Sequence, residues 1–144
     1  MNYKVLCLAL VLAGCSSSST TTAAKGDYKL NLTAFAPHAS EAAYLKIKDA
    51  TGATTIASTM TTIDATGNAT FVLPAALDVG TTYRVDFFCD HTPASGTGGA
   101  YVPPTAGTPP TFNDHSWRRM VVGTSAGVVE SFAHDSNWTD ISPF

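Results

Sequence analysis

The chain predicts an all-β fold, a sandwich of about seven short strands with Greek-key connections, and three observations carry that expectation. Apolar residues alternate with polar ones instead of recurring at helical spacing, and Thr, Val, Tyr and Phe are abundant. Asp-x-x-Gly turn sequences punctuate the alternation at Asp49–Gly52 and Asp64–Gly67. Finally, Leu77-Asp-Val-Gly80-Thr-Thr-Tyr83 leads into an alternating strand, the pattern of a tyrosine corner in a Greek-key sandwich.

The elements follow in order. The first strand is predicted over Tyr28–Ala34, with Tyr28, Leu30, Leu32 and Ala34 on one face, and it closes at Pro37-His38. The second covers Ala43–Lys48, with Leu45 and Ile47 inward and Tyr44, Lys46 and Lys48 outward. A hairpin partner runs through Ile56, and a further strand covers Ala69–Leu73 and ends at Pro74, which lacks the N–H a ladder needs. Tyr83, Val85, Phe87 and Cys89 share the inner face of the next strand. Strand signals stop between Asp90 and Asp114, a long loop rich in Gly, Pro, Thr and Ala, and resume at Trp117–Val122 and Val128–Ala133. The immunoglobulin-like and transthyretin-like sandwiches are the two architectures this pattern suits.

Ahead of the first strand lies a different kind of sequence. Lys4 precedes an apolar run from Val5 to Leu12, too short for a spanning helix and built as an export signal. Leu12-Ala13-Gly14-Cys15 resembles the lipobox of bacterial lipoprotein precursors, which implies a signal peptide over 1–14, lipidation of Cys15 and acylation of the new amino terminus. Three acyl chains exceed the two signals that stable anchoring requires. Ser16, rather than Asp, after the cysteine implies lipid anchoring in the outer membrane by that family's sorting rule. Residues 15–26 then read as the lipidated cysteine and a flexible Ser/Thr tether, and residues 27–144 as one β-sandwich domain.

Formal charge is −3, and loss of Lys4 with the signal lowers it by one, so the domain has no basic field for nucleic acid. Of the three cysteines, only Cys89 stays in the exported domain unmodified, which excludes an intrachain disulfide. Its parity with Tyr83, Val85 and Phe87 makes it a small buried hydrophobe at a strand end.

Chemistry, if any, centres on four histidines, His38, His91, His115 and His134, each at a strand end or in a loop. Strand ends of a sandwich gather at two poles, so several of these rings are able to meet. Imidazoles suit copper, zinc, nickel or iron, with Asp114 or Asp135 as an acceptor orienting a ring. The competing reading has four separate histidines bonding loop carbonyls, and no H-x-x-x-H or C-x-x-C spacing opposes it. A cupredoxin site fails on spacing, because no His and Met follow Cys89 closely enough. Ser116, His115 and Asp114 are sequence neighbours and cannot converge as a catalytic triad, and no G-x-S-x-G elbow exists.

Asp114-His115-Ser-Trp117-Arg118, together with Trp138, has a composition suited to gripping a partner. It suits equally an internal network in which Arg118 or Arg119 stacks on Trp117 or Trp138 and pairs with Asp114 or Asp140.

The succession Pro37-His38, Asp114-His115-x-Trp117-Arg118 and Phe132-x-His134-Asp-x-Asn137-Trp-Thr-Asp140-Ile141 resembles a group of uncharacterised exported bacterial proteins over most of the folded domain. The resemblance singles out His38, His115 and His134 as a set and leaves His91 outside it. That group carries an acidic calcium-type turn between the core strand and the Asp-His-x-Trp-Arg segment. This chain has Asp90-His91-Thr-Pro there, without the carboxylates a hard cation needs.

The leading expectation is therefore a non-enzymatic envelope lipoprotein acting as a binding or assembly module, with an envelope protein as partner and Asp114, Trp117, Arg118 and Trp138 as binding residues. The first alternative is a metal-binding lipoprotein that holds copper or zinc on His38, His115 and His134. The second is an enzyme of unknown class. The metal alternative requires the three rings to come within about 5 Å of one another, since ligands about 2 Å from one ion cannot lie much farther apart.

Overall fold

The computed structural model describes residues 24–91, 99–104 and 113–144. The expected signal peptide, Cys15 and most of the tether lie outside them, as do parts of the long loop.

Among the described residues seven strands form two sheets: β1 (Lys25–Thr33), β2 (Ala42–Asp49), β3 (Thr55–Thr62), β4 (Ala69–Asp78), β5 (Thr82–Cys89), β6 (His115–Val122) and β7 (Val128–Ala133). One sheet has the order β4-β1-β7 and the other β3-β2-β5-β6. All neighbours are antiparallel except β1 and β7, which run parallel from Tyr28 opposite Val128 to Thr33 opposite Ala133. The first four strands wrap as a Greek key, with β4 returning beside β1. An immunoglobulin sandwich places its first two strands in the same sheet. Here β1 and β2 lie in opposite sheets, so the strand order departs from the immunoglobulin arrangement.

The core is what the alternation predicts. Tyr28, Leu30 and Leu32 of β1, Leu45 and Ile47 of β2, Phe71 of β4 and Tyr83, Val85, Phe87 and Cys89 of β5 are buried in one cluster. Burying each large apolar side chain contributes about 1.5–3 kcal/mol. The tyrosine corner is present: the Tyr83 hydroxyl accepts from Asp78 N at 2.9 Å and donates to Asp78 Oδ2 at 3.0 Å, fastening the β4–β5 crossing. Both Asp-x-x-Gly turns close as expected, with Gly52 at φ 82° and Gly67 at φ 80°.

Several boundaries differ from the sequence reading, each for a physical reason. Lys25 and Gly26, expected in the tether, begin β1. A Cβ at Gly26 would lie 2.0 Å from Thr124 O, so this glycine is there for close packing. Ala34 lies beyond β1 at φ 61° and is exposed, where the chain turns away from the sheet. β4 continues through Pro74 to Asp78, which an edge strand tolerates. The register shifts there, and Ala75, at φ 48°, donates its N–H to Asp27 Oδ1 at 2.8 Å. β6 begins at His115, two residues before the expected start.

Lys48, expected outward in solvent, is buried instead. The outer face of β2 and β5 is covered by the C-terminal segment. Phe144 packs edge-on against Phe88 at 4.8 Å between centroids and sits under Lys46 Nζ at 4.4 Å, while Lys48 donates to Pro143 O. Beneath this strap the Asp86 carboxylate is enclosed by Arg84 at 2.6 Å, Arg118 at 2.8 Å and Lys48 at 3.5 Å. Asp86 and Phe88, on the outer face of the sheet, are thus as buried as the core.

Candidate metal centre

The four histidines meet at one pole. β1 and β7 end there side by side, β5 ends there and β6 starts there. His134 follows directly on β7 and extends the parallel ladder by donating its N–H to Thr33 O at 2.9 Å. His115 is the first residue of β6, opposite Cys89. His38 closes a single 3-10 turn, Ala36–His38, after β1.

The second Asp-x-x-Gly turn holds that 3-10 turn in place. Phe35 N donates to Gly67 O at 2.8 Å, Ser40 N to Ile63 O at 2.9 Å and Ile63 N to Glu41 O at 3.0 Å. A Cβ at Gly67 would lie 2.2 Å from Ala36 N, so only glycine lets the two segments approach. Phe35, wholly buried, lies edge-on to His134 at 5.1 Å and to Trp117 at 5.3 Å and forms the floor of the site.

His38 is the hub. Its Nε2 lies 2.9 Å from His115 Nδ1 and 3.2 Å from His134 Nε2. All three ligand atoms lie within 4.8 Å of one another, the separation that a shared ion requires. Metal–nitrogen bonds of 2.0–2.1 Å give ligand edges of about 2.9 Å at a right angle and about 3.3 Å at the tetrahedral angle. The observed separations, 2.9 and 3.2 Å, fall close to these values.

The opposite nitrogen of His38, Nδ1, faces Glu41 Oε2 at 2.7 Å. A carboxylate accepts only, so Nδ1 carries the proton and the Nε2 lone pair points toward His115 and His134. This is the carboxylate–histidine arrangement that orients a metal ligand. Glu41 also faces His91 Nδ1 at 2.8 Å through its other oxygen. Burial pushes the Glu41 carboxyl up, but hydrogen bonds from His38 and His91, with the charge those rings carry when protonated, outweigh it and hold its pKa below the ordinary value.

Trp138 lies flat on His115, with centroids 4.0 Å apart and planes at 18°. Burial, then the neighbouring histidines, bring the His115 pKa down to about 4, and burial and His38 lower that of His134. Both rings are thereby neutral at neutral pH, the form a metal binds. His115 Nε2 and Trp138 Nε1 are buried without a hydrogen-bond partner.

Of the expected binding residues, Asp114 is buried and accepts from His91 N at 3.1 Å and Val102 N at 2.7 Å, closing the base of the long loop. Trp117 is a core residue whose Nε1 donates to Asp135 at 3.0 Å. Arg118 pairs with Asp86 at 2.8 Å and its charge also helps lower the Asp140 pKa, while Arg119 pairs with Glu130 at 3.4 Å. Trp138 covers His115, and Trp117 also lies edge-on to His134 at 5.6 Å. Ser116 donates to Thr139 O at 2.6 Å and bonds the Tyr101 hydroxyl at 2.8 Å, away from any triad.

Two members of the pole lie outside the three-histidine set that the sequence singled out. His91, set aside by the resemblance, stacks on His115 at 5.4 Å. Glu41, not Asp114 or Asp135, is the acceptor that orients His38. Compared with protein-family models, with curated proteins and with solved structures, the chain matches none.

Proposed function

We propose that this chain is a lipid-anchored envelope protein whose sandwich binds a divalent late first-row metal, copper or zinc, at the His38, His115 and His134 pole, with no catalytic step of its own. One observation supports the reading above all: three imidazole nitrogens from three separated segments converge at metal-ligand spacing, one of them oriented by a carboxylate. Without an ion, the single Nε2 lone pair of His38 faces two ring nitrogens and satisfies only one of them at a time. A shared cation takes all three lone pairs at once. Imidazole donors suit copper and zinc, and of the two copper binds such a set more tightly. The lipobox at Leu12–Cys15 is the basis for the membrane anchor.

The test is elemental analysis of the purified chain and its titration with Cu(II) and with Zn(II), alongside His115→Ala and His134→Ala. Binding at or above one equivalent that both variants lose supports the reading. A chain that binds neither metal above background ends it.

The assembly reading retains one feature in its favour. A groove of about 750 Å³ on the outer face of the larger sheet is lined by Tyr44, Met60, Tyr101 and Phe144, a surface fit for an extended apolar segment of an envelope protein. A photo-crosslinker at Met60 is the test: a discrete adduct in membranes supports that role, and its absence counts against it.

A further inference from the structure

A second group of convergent ligands shares His38 with the first but uses its other nitrogen. His38, Glu41 and His91 each offer a ligand atom within 4.8 Å of the others, and both rings turn Nδ1 toward Glu41. Glu41 gives one oxygen to each ring, at 2.7 and 2.8 Å. The inner set is closed by Phe35 and Trp138. The outer set opens onto a pocket of about 360 Å³ lined by Ser40, Glu41, Ala42, Asp90 and His91.

We infer that the pole holds two metal ions bridged by the imidazolate of His38, a proposal that rests on the three-histidine reading above. The inner ion takes His38 Nε2, His115 Nδ1 and His134 Nε2. The outer ion takes His38 Nδ1, Glu41 and His91, and its remaining positions face the pocket, where water or a small anion completes the shell. Nitrogens on the two sides of one ring hold ions about 6 Å apart, given metal–nitrogen bonds of 2.0–2.1 Å.

The protons balance. With only the inner ion present, the Nδ1–H of His38 donates to Glu41. The outer ion replaces that proton, which leaves to solvent, and Glu41 turns from hydrogen-bond acceptor to ligand. His91 Nδ1 gives up its proton to solvent as it binds, and the ring takes one from solvent at Nε2, so it ligates as the neutral tautomer. Two divalent ions set against one imidazolate and one carboxylate leave a net charge of about +2. Three further carboxylates surround the pole: Asp90 on the pocket wall, Asp114 at the His91 backbone and Asp135 beside His134.

A hydrogen-bonded Glu41 that merely orients His38 and His91 is the competing account, and it allows one ion only. The experiment that separates them is titration of the full, metal-stripped chain with Cu(II) alone, read by bound stoichiometry and by electron paramagnetic resonance. The expected result is two ions per chain. The resonance should grow to one equivalent and then fall several-fold as the second ion couples to the first through the ring. His91→Ala, and His91→Gln should the former fold poorly, should bind one ion with full signal intensity.

Two ions with full, uncoupled intensity would overturn the bridge, as would two coupled ions in either His91 variant. One ion in the wild type, lost in His115→Ala, would overturn the second site and leave the three-histidine site standing. No copper in the wild type would remove both.

Discussion

The indole of Trp138 covers the imidazole of His115 face to face, with ring centroids 4.0 Å apart, and it closes the inner half of the histidine pole to water. The contact joins the C-terminal segment to the start of β6, so the end of the chain helps set the electrostatics of the site.

Trp138→Ala should raise the His115 pKa from about 4 toward the ordinary 6.5, because burial is the largest cause of its depression. Trp138→Phe should leave it near its native value by keeping an apolar cover. Histidine resonances followed by NMR across pH 3–8 with chelator present provide the check, and an unmoved titration in the alanine variant would remove Trp138 as the desolvating wall.

The metal-free domain should lose stability as the medium is acidified from about pH 6.5 to about pH 4. In that window the unfolded chain protonates His115 and the folded chain does not, so the unfolded state binds more protons and acid favours it. The stability is fully present above pH 6.5 and lost as pH falls through the folded pKa. The difference is worth on the order of 3 kcal/mol. His134, lowered in the same direction, adds to the loss. Urea unfolding at a series of pH values should show this slope, and His115→Gln should flatten it.

Replacing Asp86 with Asn should destabilise the fold by about 3 kcal/mol, since it leaves Lys48 and its neighbouring arginines without their buried counter-charge. Adding Lys48→Met should recover part of that loss by removing the most buried of the three cations. Equilibrium urea unfolding of the single and double variants measures both effects, and equal stabilities would show that the pair does not interact.

Tyr83→Phe should cost about 1–2 kcal/mol, because Asp78 N and Oδ2 both lose a partner at the corner between the sheets. Thermal or urea unfolding checks the size, and a neutral substitution would mean that the corner contributes through packing alone.

Cys89 should resist a maleimide in the native protein and react at once in denaturant. It is wholly buried, and burial, followed by the negative charges of Glu41 and Asp114, pushes its thiol well above the ordinary value. Labelling in native buffer at a rate near that of the unfolded chain would contradict the closed packing between β5 and β6.

The seven strands, the two Asp-x-x-Gly turns, the Tyr83 corner and the inward parity of Cys89 were all legible in the linear chain, because each depends on local alternation or on residues a few positions apart. Three of the four histidines were singled out by the segments they sit in. Their meeting was not legible: His38 and His134 are separated by 96 positions, and only the parallel pairing of β1 with β7 brings their ends together. Glu41 gave no signal of its own, since one acid three residues after a histidine looks like any solvated loop residue until the turn at Gly67 pins both in place. Lys48 reads as a surface charge because alternation places it on the outer face of a sheet, the face that also carries Asp86. What buries them is the C-terminal strap at Pro143 and Phe144, a contact between segments far apart in sequence that no local period encodes. Element type follows from short-range chemistry. Which strand ends share a pole, and hence which side chains share an ion, follows from sheet order, which only tertiary packing decides.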